Sequence, residues 1–239
     1  MKNLKTLIVL FLSIFAVSLS FTSCNTGDTQ DYSVDQVSQR SYQTVMAGTY
    51  TGKMVFKKIA NNREVGVDSV ETMWTVRTDS TLTIHRFPIS KLDSAINVSD
   101  DDISSEATVL RQLRTAISEL PDEDVRCSYW VPNTMCVFDG GYQFLVNPLC
   151  VNSDFDNMKN TNKAMFIKKS LTYGGETHNV YFVFYLGTYG GTFVSSAHTF
   201  QFRMALASIY INDSQVPHDY YPSFTSTYFR NIIVDCVRR

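Results

Sequence analysis

From Gly48 onward the chain alternates apolar and polar residues in run after run, with glycine or asparagine between the runs. Such a period of two turns one face of a strand toward a core and the other toward water. Residues 48–58, 65–77 and 81–87 read as three antiparallel strands, the first two joined by a polar turn at Asn61-Asn62. Asp139-Gly140-Gly141 predicts a short hairpin, and Gly174-Gly175 predicts a second one with a longer loop. His198 to Ile211 makes a long strand candidate, and Ser223 to Val237 supplies the last. One helix interrupts the pattern: Ile103, Ala107, Leu110, Leu113, Ile117 and Leu120 recur at steps of three and four, Ser99 to Asp102 form an acidic N-cap region, and Pro121 stops the run. A shorter helix is expected around Val34 to Met46. The predicted fold is mainly β with one prominent α-helix, closed into an antiparallel barrel or stacked as a sandwich.

The front of the chain follows a different rule. Lys2 and Lys5 precede an apolar run from Leu7 to Phe21, and small residues lead to Cys24. This is the layout of a secretory signal, and the cysteine makes it a lipoprotein signal, because its thiol takes the diacylglycerol before cleavage. Phe21 stands where leucine is usual. The run is shorter than the ~20 residues a spanning helix needs. The expected organisation is a signal peptide over 1–23, a flexible tether over 24–41 and a single β-rich domain over 42–239. Cleavage leaves 216 residues with a net charge of −4. That balance argues against a nucleic-acid partner, and 44% hydrophobic content argues against disorder. The expected partner is the membrane, through lipid on Cys24, and the expected location is the outer membrane, periplasmic or surface-displayed.

Four further cysteines, Cys127, Cys136, Cys150 and Cys236, permit two disulfides in an oxidising compartment or else serve as buried thiols. A hairpin around Trp130-Val131-Pro132-Asn133 would set Cys127 opposite Cys136, leaving Cys150 for Cys236.

Catalytic and metal motifs are sparse. His85, His178, His198 and His218 are scattered, and no G-x-S-x-G, H-E-x-x-H or Walker-type loop occurs. Asn152 to Lys163 begins like a calcium loop but lacks the glycine at position six and the carboxylate at position twelve. No metal, cofactor or catalytic residue is assigned. The tetrapeptide Thr-Tyr-Gly-Gly occurs at 172–175 and again at 188–191. Tyr173 and Tyr189, with Tyr220 and Tyr221, are candidate ligand-binding residues at one lip, since tyrosine offers a flat face and a hydroxyl to a sugar, peptide or lipid. The alternative is turn chemistry used twice.

The lipoprotein front, Ala47-Gly48-Thr49-Tyr50-Thr51-Gly52, Asp79 to Pro88 and the Ser214 to Ile233 tail together resemble uncharacterised lipoproteins of gut Bacteroidota, a family of unknown function. Gly48-x-Tyr50 echoes the lipocalin Gly-x-Trp, so the resemblance implies a distantly calycin-like, lipocalin-style barrel and carries over no active site. The resemblance also implies O-glycosylation at Asp-Ser/Thr steps, which Ser69, Ser80 and Ser94 match. The leading functional expectation is a lipid-anchored, non-enzymatic envelope protein whose barrel binds a small apolar or carbohydrate ligand. The rival is an accessory module that docks an envelope protein through a surface patch or sheet edge. A hydrolase assembled from distant strands is the third, recognisable by histidine and acid gathered at a pocket floor.

Overall fold

Asp35 caps the first described helix by accepting the Val37 and Ser38 N–H groups, the side-chain cap that a first helical turn needs. Helix α1 (Gln36–Met46) follows, and the chain passes directly into β1 (Gly48–Ala60). The computed structural model describes residues 33–60, 63–148, 165–184, 190–212, 214–215 and 232–238. The signal segment with Cys24, the 152–163 loop, Cys150, Tyr189, His218, Tyr220 and Tyr221 lie outside the described residues. The compact unit runs from Val34 to Arg239. It therefore begins eight residues before Tyr42, because the expected short helix packs as part of the domain.

The remaining strands are β2 (Arg63–Val76), β3 (Thr81–Phe87), β4 (Glu123–Trp130), β5 (Val137–Phe138), β6 (Gly141–Pro148), β7 (Met165–Tyr173), β8 (Glu176–Phe184), β9 (Gly190–Val194), β10 (Thr199–Ile211), β11 (Ser214–Gln215) and β12 (Ile232–Arg238). Antiparallel pairing runs β12-β1-β2-β3-β4-β6-β9-β10, and β10 pairs back onto β12, closing an eight-stranded barrel. The choice between barrel and sandwich is thereby settled. Strand β10 is long enough to serve twice: Phe202 to Ala205 pair with β12, while Leu206 to Ile211 leave the ring and pair with β8. The β7–β8 hairpin thus forms an arm outside the closed ring.

The alternation read in the sequence fills the interior. Met54, Phe56, Trp74, Leu82, Ile84, Cys127, Tyr129 and Phe200 have no solvent-accessible surface. Phe144 and Phe200 stack at 4.1 Å, and Trp74 meets Phe202 edge-on at 5.7 Å. Helix α1 covers the end where β1 begins. Gln39 exchanges two hydrogen bonds with the Val131 backbone, Gln43 donates to Ser80, and the Tyr50 hydroxyl donates to the Met46 carbonyl at 2.6 Å. At the opposite end a 3-10 turn (Ile89–Ala95) and α2 (Ser105–Ser118) bury Ile89, Leu92, Leu110, Leu113 and Ile117.

Helix α2 starts later than its acidic prelude implied. Ser104 is the N-cap and accepts the Ala107 N–H, so Ile103 precedes the helix, escapes its periodicity and is 93% exposed. Asp102 instead accepts the Ser104 N–H, and Asp100 pairs with Arg114.

Barrel closure is held from outside by a four-residue charge cluster. Asp235, only 8% exposed, accepts from Arg203 at 2.5 and 2.8 Å and from Lys57 at 2.6 Å, while Glu64 pairs with both cations. The hydrogen bond that Lys57 donates to Asp235 raises the Lys57 pKa above its ordinary value. The cluster spans β1, β2, β10 and β12, the strands that meet at the seam.

Candidate functional site

An internal ligand chamber leaves accessible surface on the side chains that line it, as in barrels that hold one small molecule. Here the described interior is occupied by its own aromatic rings, and α1 covers one end. The Gly48-x-Tyr50 pattern sits at that covered end. Burial pushes the Tyr50 hydroxyl up to about 12, and its ring stacks with His198 at 5.2 Å.

The two glycine pairs sit at separate places in the sheet, while Tyr189, Tyr220 and Tyr221 lie outside the described residues. Gly191 pairs with Phe202 on β10, whereas Val180 of the arm pairs with Ile211, nine residues further along the same strand. At the usual strand rise that is roughly 30 Å, and Tyr173 lies beyond Val180. Gly174 and Gly175, at φ +62° and +84°, make a two-residue hairpin turn between Tyr173 and Glu176, tighter than the longer loop expected. Tyr173 is not a free face: it is 8% exposed and stacks on His178 at 4.3 Å. Its buried hydroxyl finds no hydrogen-bond partner among the described residues, and burial pushes its pKa up to about 12. Gly190 and Gly191 have another reason to be glycine. A β-carbon at 191 would lie 2.2 Å from the Phe144 ring and 2.8 Å from the Gln201 carbonyl.

The expected Cys127–Cys136 hairpin pairing is corrected, while the Cys150–Cys236 pairing involves a residue outside the described ones. Residues after Trp130 form no return strand beside β4: Thr134–Cys136 is a 3-10 turn, β5 pairs with β6, and Cys127 faces Leu82 and Pro148 across its ladders. Cys127, Cys136 and Cys236 are free and buried, and burial raises the pKa of each thiol. They are therefore protonated and poorly nucleophilic.

Sequence reading missed one arrangement that only strand register creates. His85 on β3 lies between Thr75 of β2, whose hydroxyl is 2.9 Å from Nε2, and Asp124 of β4, whose carboxylate is 3.0 Å from Nδ1. Hydroxyl, imidazole and carboxylate in line have the connectivity of a nucleophile relay. Asp124, however, is 56% exposed, and its other oxygen accepts the Arg86 N–H at a register shift where Arg86 takes φ +52°. Those two hydrogen bonds, the Arg86 one foremost, lower the Asp124 pKa. Thr75 sits mid-strand between Thr49 and Thr83, so its neighbours' N–H groups serve the ladders and are not free to stabilise an oxyanion. The relay works as a clamp on the irregularity in β3. His178 lies at the arm tip and His198 at the α1 end, so the described histidines occupy separate parts of the molecule. Of the matched serines, Ser80 and Ser94 are engaged by Gln43 and the Lys91 carbonyl, and Ser69 is exposed.

A family profile described as a domain of unknown function, DUF4840, matches residues 45–211. The chain belongs to that family. The DUF4840 match takes in β1 through β10, that is, seven of the eight ring strands, all but β12, together with the arm. Neither curated proteins nor solved structures contain a match to the chain.

Outside the barrel interior, the described residues of this DUF4840 protein offer two surfaces. The first is the arm, where β7 has a ladder partner only in β8 among the described residues, with Thr172, Glu176 and Thr177 exposed at its tip. The second is the rim at the α1 end, where Met135 is 71% and Val37 78% exposed.

Proposed function

We propose that this protein is a lipid-anchored, non-catalytic binding module of the bacterial cell envelope that meets its partner on the outside of a solid barrel. The observation that supports the reading is the aromatic packing of the described interior, where Trp74, Tyr129, Phe144 and Phe200 are buried in one cluster, which favours recognition on the surface over a chamber for a small apolar or carbohydrate ligand. The β7–β8 arm is the longest part of the described sheet outside the closed ring, and an edge strand recognises an extended segment of another protein by main-chain hydrogen bonds. An envelope protein docked along β7 is therefore the partner. The lipoprotein signal ending at Cys24 supports an outer-membrane location, facing the periplasm or the cell surface. The barrel is compatible with the lipocalin-style, distantly calycin-like architecture and with the likeness to lipoproteins of gut Bacteroidota.

A photo-crosslinking amino acid placed at Thr172, compared with one at Thr83 on the barrel wall, tests the docking surface in intact envelopes. A discrete protein adduct from position 172 and none from position 83 is the expected result. Equal or absent adducts reject the arm, and a small molecule that co-purifies stoichiometrically restores the ligand reading. Mass spectrometry of the Cys24 peptide reads the anchor: diacylglycerol on the cysteine is expected, and an unmodified thiol ends that part of the proposal.

A further inference from the structure

The exposed apolar residues are unevenly placed. Nine large hydrophobic side chains are exposed among the described residues, and five of them, Val37, Val45, Met135, Val137 and Phe138, lie on α1 or on the connection from β4 to β6. These segments are one structural unit. Gln39 of α1 grips the Val131 backbone, Tyr42 packs on Tyr142 at 4.7 Å, and Val137 is the ladder partner of Tyr142. Single exposed apolar residues are ordinary on a soluble domain, but a cluster at one end marks a contact surface.

The chain itself indicates what that surface meets. It enters the domain at this end, through Asp35 at the start of α1, and Cys24 lies only eleven residues earlier. Fully extended, that length spans at most about 40 Å. A lipid on Cys24 therefore holds the α1 end, where the tether enters, within about 40 Å of the bilayer.

We propose that the Val37–Met135–Phe138 rim rests in the interfacial layer of the membrane that holds Cys24, fixing the barrel upright with its arm directed away. The inference rests on the reading that Cys24 is acylated. Methionine, valine and phenylalanine suit the boundary between headgroups and acyl chains, where apolar side chains leave water without crossing the bilayer. The charges flanking the rim are mixed, Arg40 on α1 against Asp139 in the β5–β6 turn, so the contact depends on apolar insertion more than on attraction to anionic lipid.

The test uses the full lipidated chain reconstituted in phosphatidylethanolamine–phosphatidylglycerol vesicles. A fluorescent amino acid replaces Met135 in one sample and Ile103, exposed near α2 at the opposite end, in another. Brominated acyl chains are expected to quench the probe at 135 roughly threefold or more above that at 103, little changed by 0.5 M salt, and Phe138→Ser should reduce the difference. Equal quenching at both positions on a chain whose Cys24 is acylated by mass overturns the rim alone. An unmodified Cys24 overturns the anchor and the rim together. Quenching at 135 that vanishes in salt replaces insertion with electrostatic adsorption, and a protein adduct from a photo-crosslinker at 135 assigns the rim to a protein partner; either result overturns the proposal.

Discussion

The barrel wall around Gly191 and the arm tip around Gly174-Gly175 are built from the same tetrapeptide, Thr-Tyr-Gly-Gly, and use it differently. At the arm tip both glycines have positive φ, and a β-carbon at Gly175 would touch nothing. There the requirement is conformational and local. In the wall, Gly191 lies in β9 between β6 and β10, and what excludes a side chain is the Phe144 ring packed into the barrel. That requirement is spatial and belongs to the whole fold. Damage to the wall should therefore propagate through the molecule, while damage to the arm tip should stay local.

The largest effect is expected at the seam. Asp235→Ala removes a buried carboxylate shared by Arg203 and Lys57, which should cost about 3 kcal/mol, the low end for breaking a buried pair because the part-exposed Glu64 still partners both cations. Denaturant titration followed by tryptophan fluorescence, with Trp74 buried in the barrel, reads the loss; a midpoint within error of the parent would show that the barrel closes without the cluster.

Gly191→Ala follows, at about 2 to 3 kcal/mol, because the Phe144 ring it would strike is held against Phe200 and the Gln201 carbonyl cannot retreat without breaking the wall. Calorimetry should show a lower Tm for the whole transition. Gly175→Ala should cost less, about 1 to 2 kcal/mol, the strain of an L-residue in the left-handed region. Its faster hydrogen exchange should be confined to β7 and β8, and faster exchange across β1 to β4 would erase the distinction between arm and wall.

The seam also sets a pH limit. Hydrogen bonding to Asp235 raises the Lys57 pKa, so its contribution is complete below the ordinary value of 10.5 and is lost as pH rises through the higher folded value. Stability should fall above about pH 10.5 in the parent, and less steeply in Asp235→Ala, where the partner is gone.

The smallest effect is at Tyr173. Its buried hydroxyl has no partner among the described residues, so Tyr173→Phe should be neutral or stabilising by up to about 1 kcal/mol. A clear loss of stability would show that the hydroxyl has a partner and that the arm tip is more than a turn.

How much of this was legible beforehand depends on the range of the cause. Strands β1, β2, β3 and β10 were readable because alternation and a turn residue are facts of a few neighbouring positions. Both helices were readable for the same reason, and α2 missed its start only where Ser104 took the cap in place of the acids. The mainly β class and the core face of each strand follow from that local code. The paired cysteines, the shared tyrosine lip and the Thr75–His85–Asp124 clamp depend instead on which strands become neighbours and in what register. No short stretch of chain carries that information, because register is chosen by the sum of side chains filling one interior. Residues 172–175 and 188–191 present the same letters, and only the position of Phe144 against β9, opposed to the free turn between β7 and β8, makes one pair of glycines part of a wall and the other a corner.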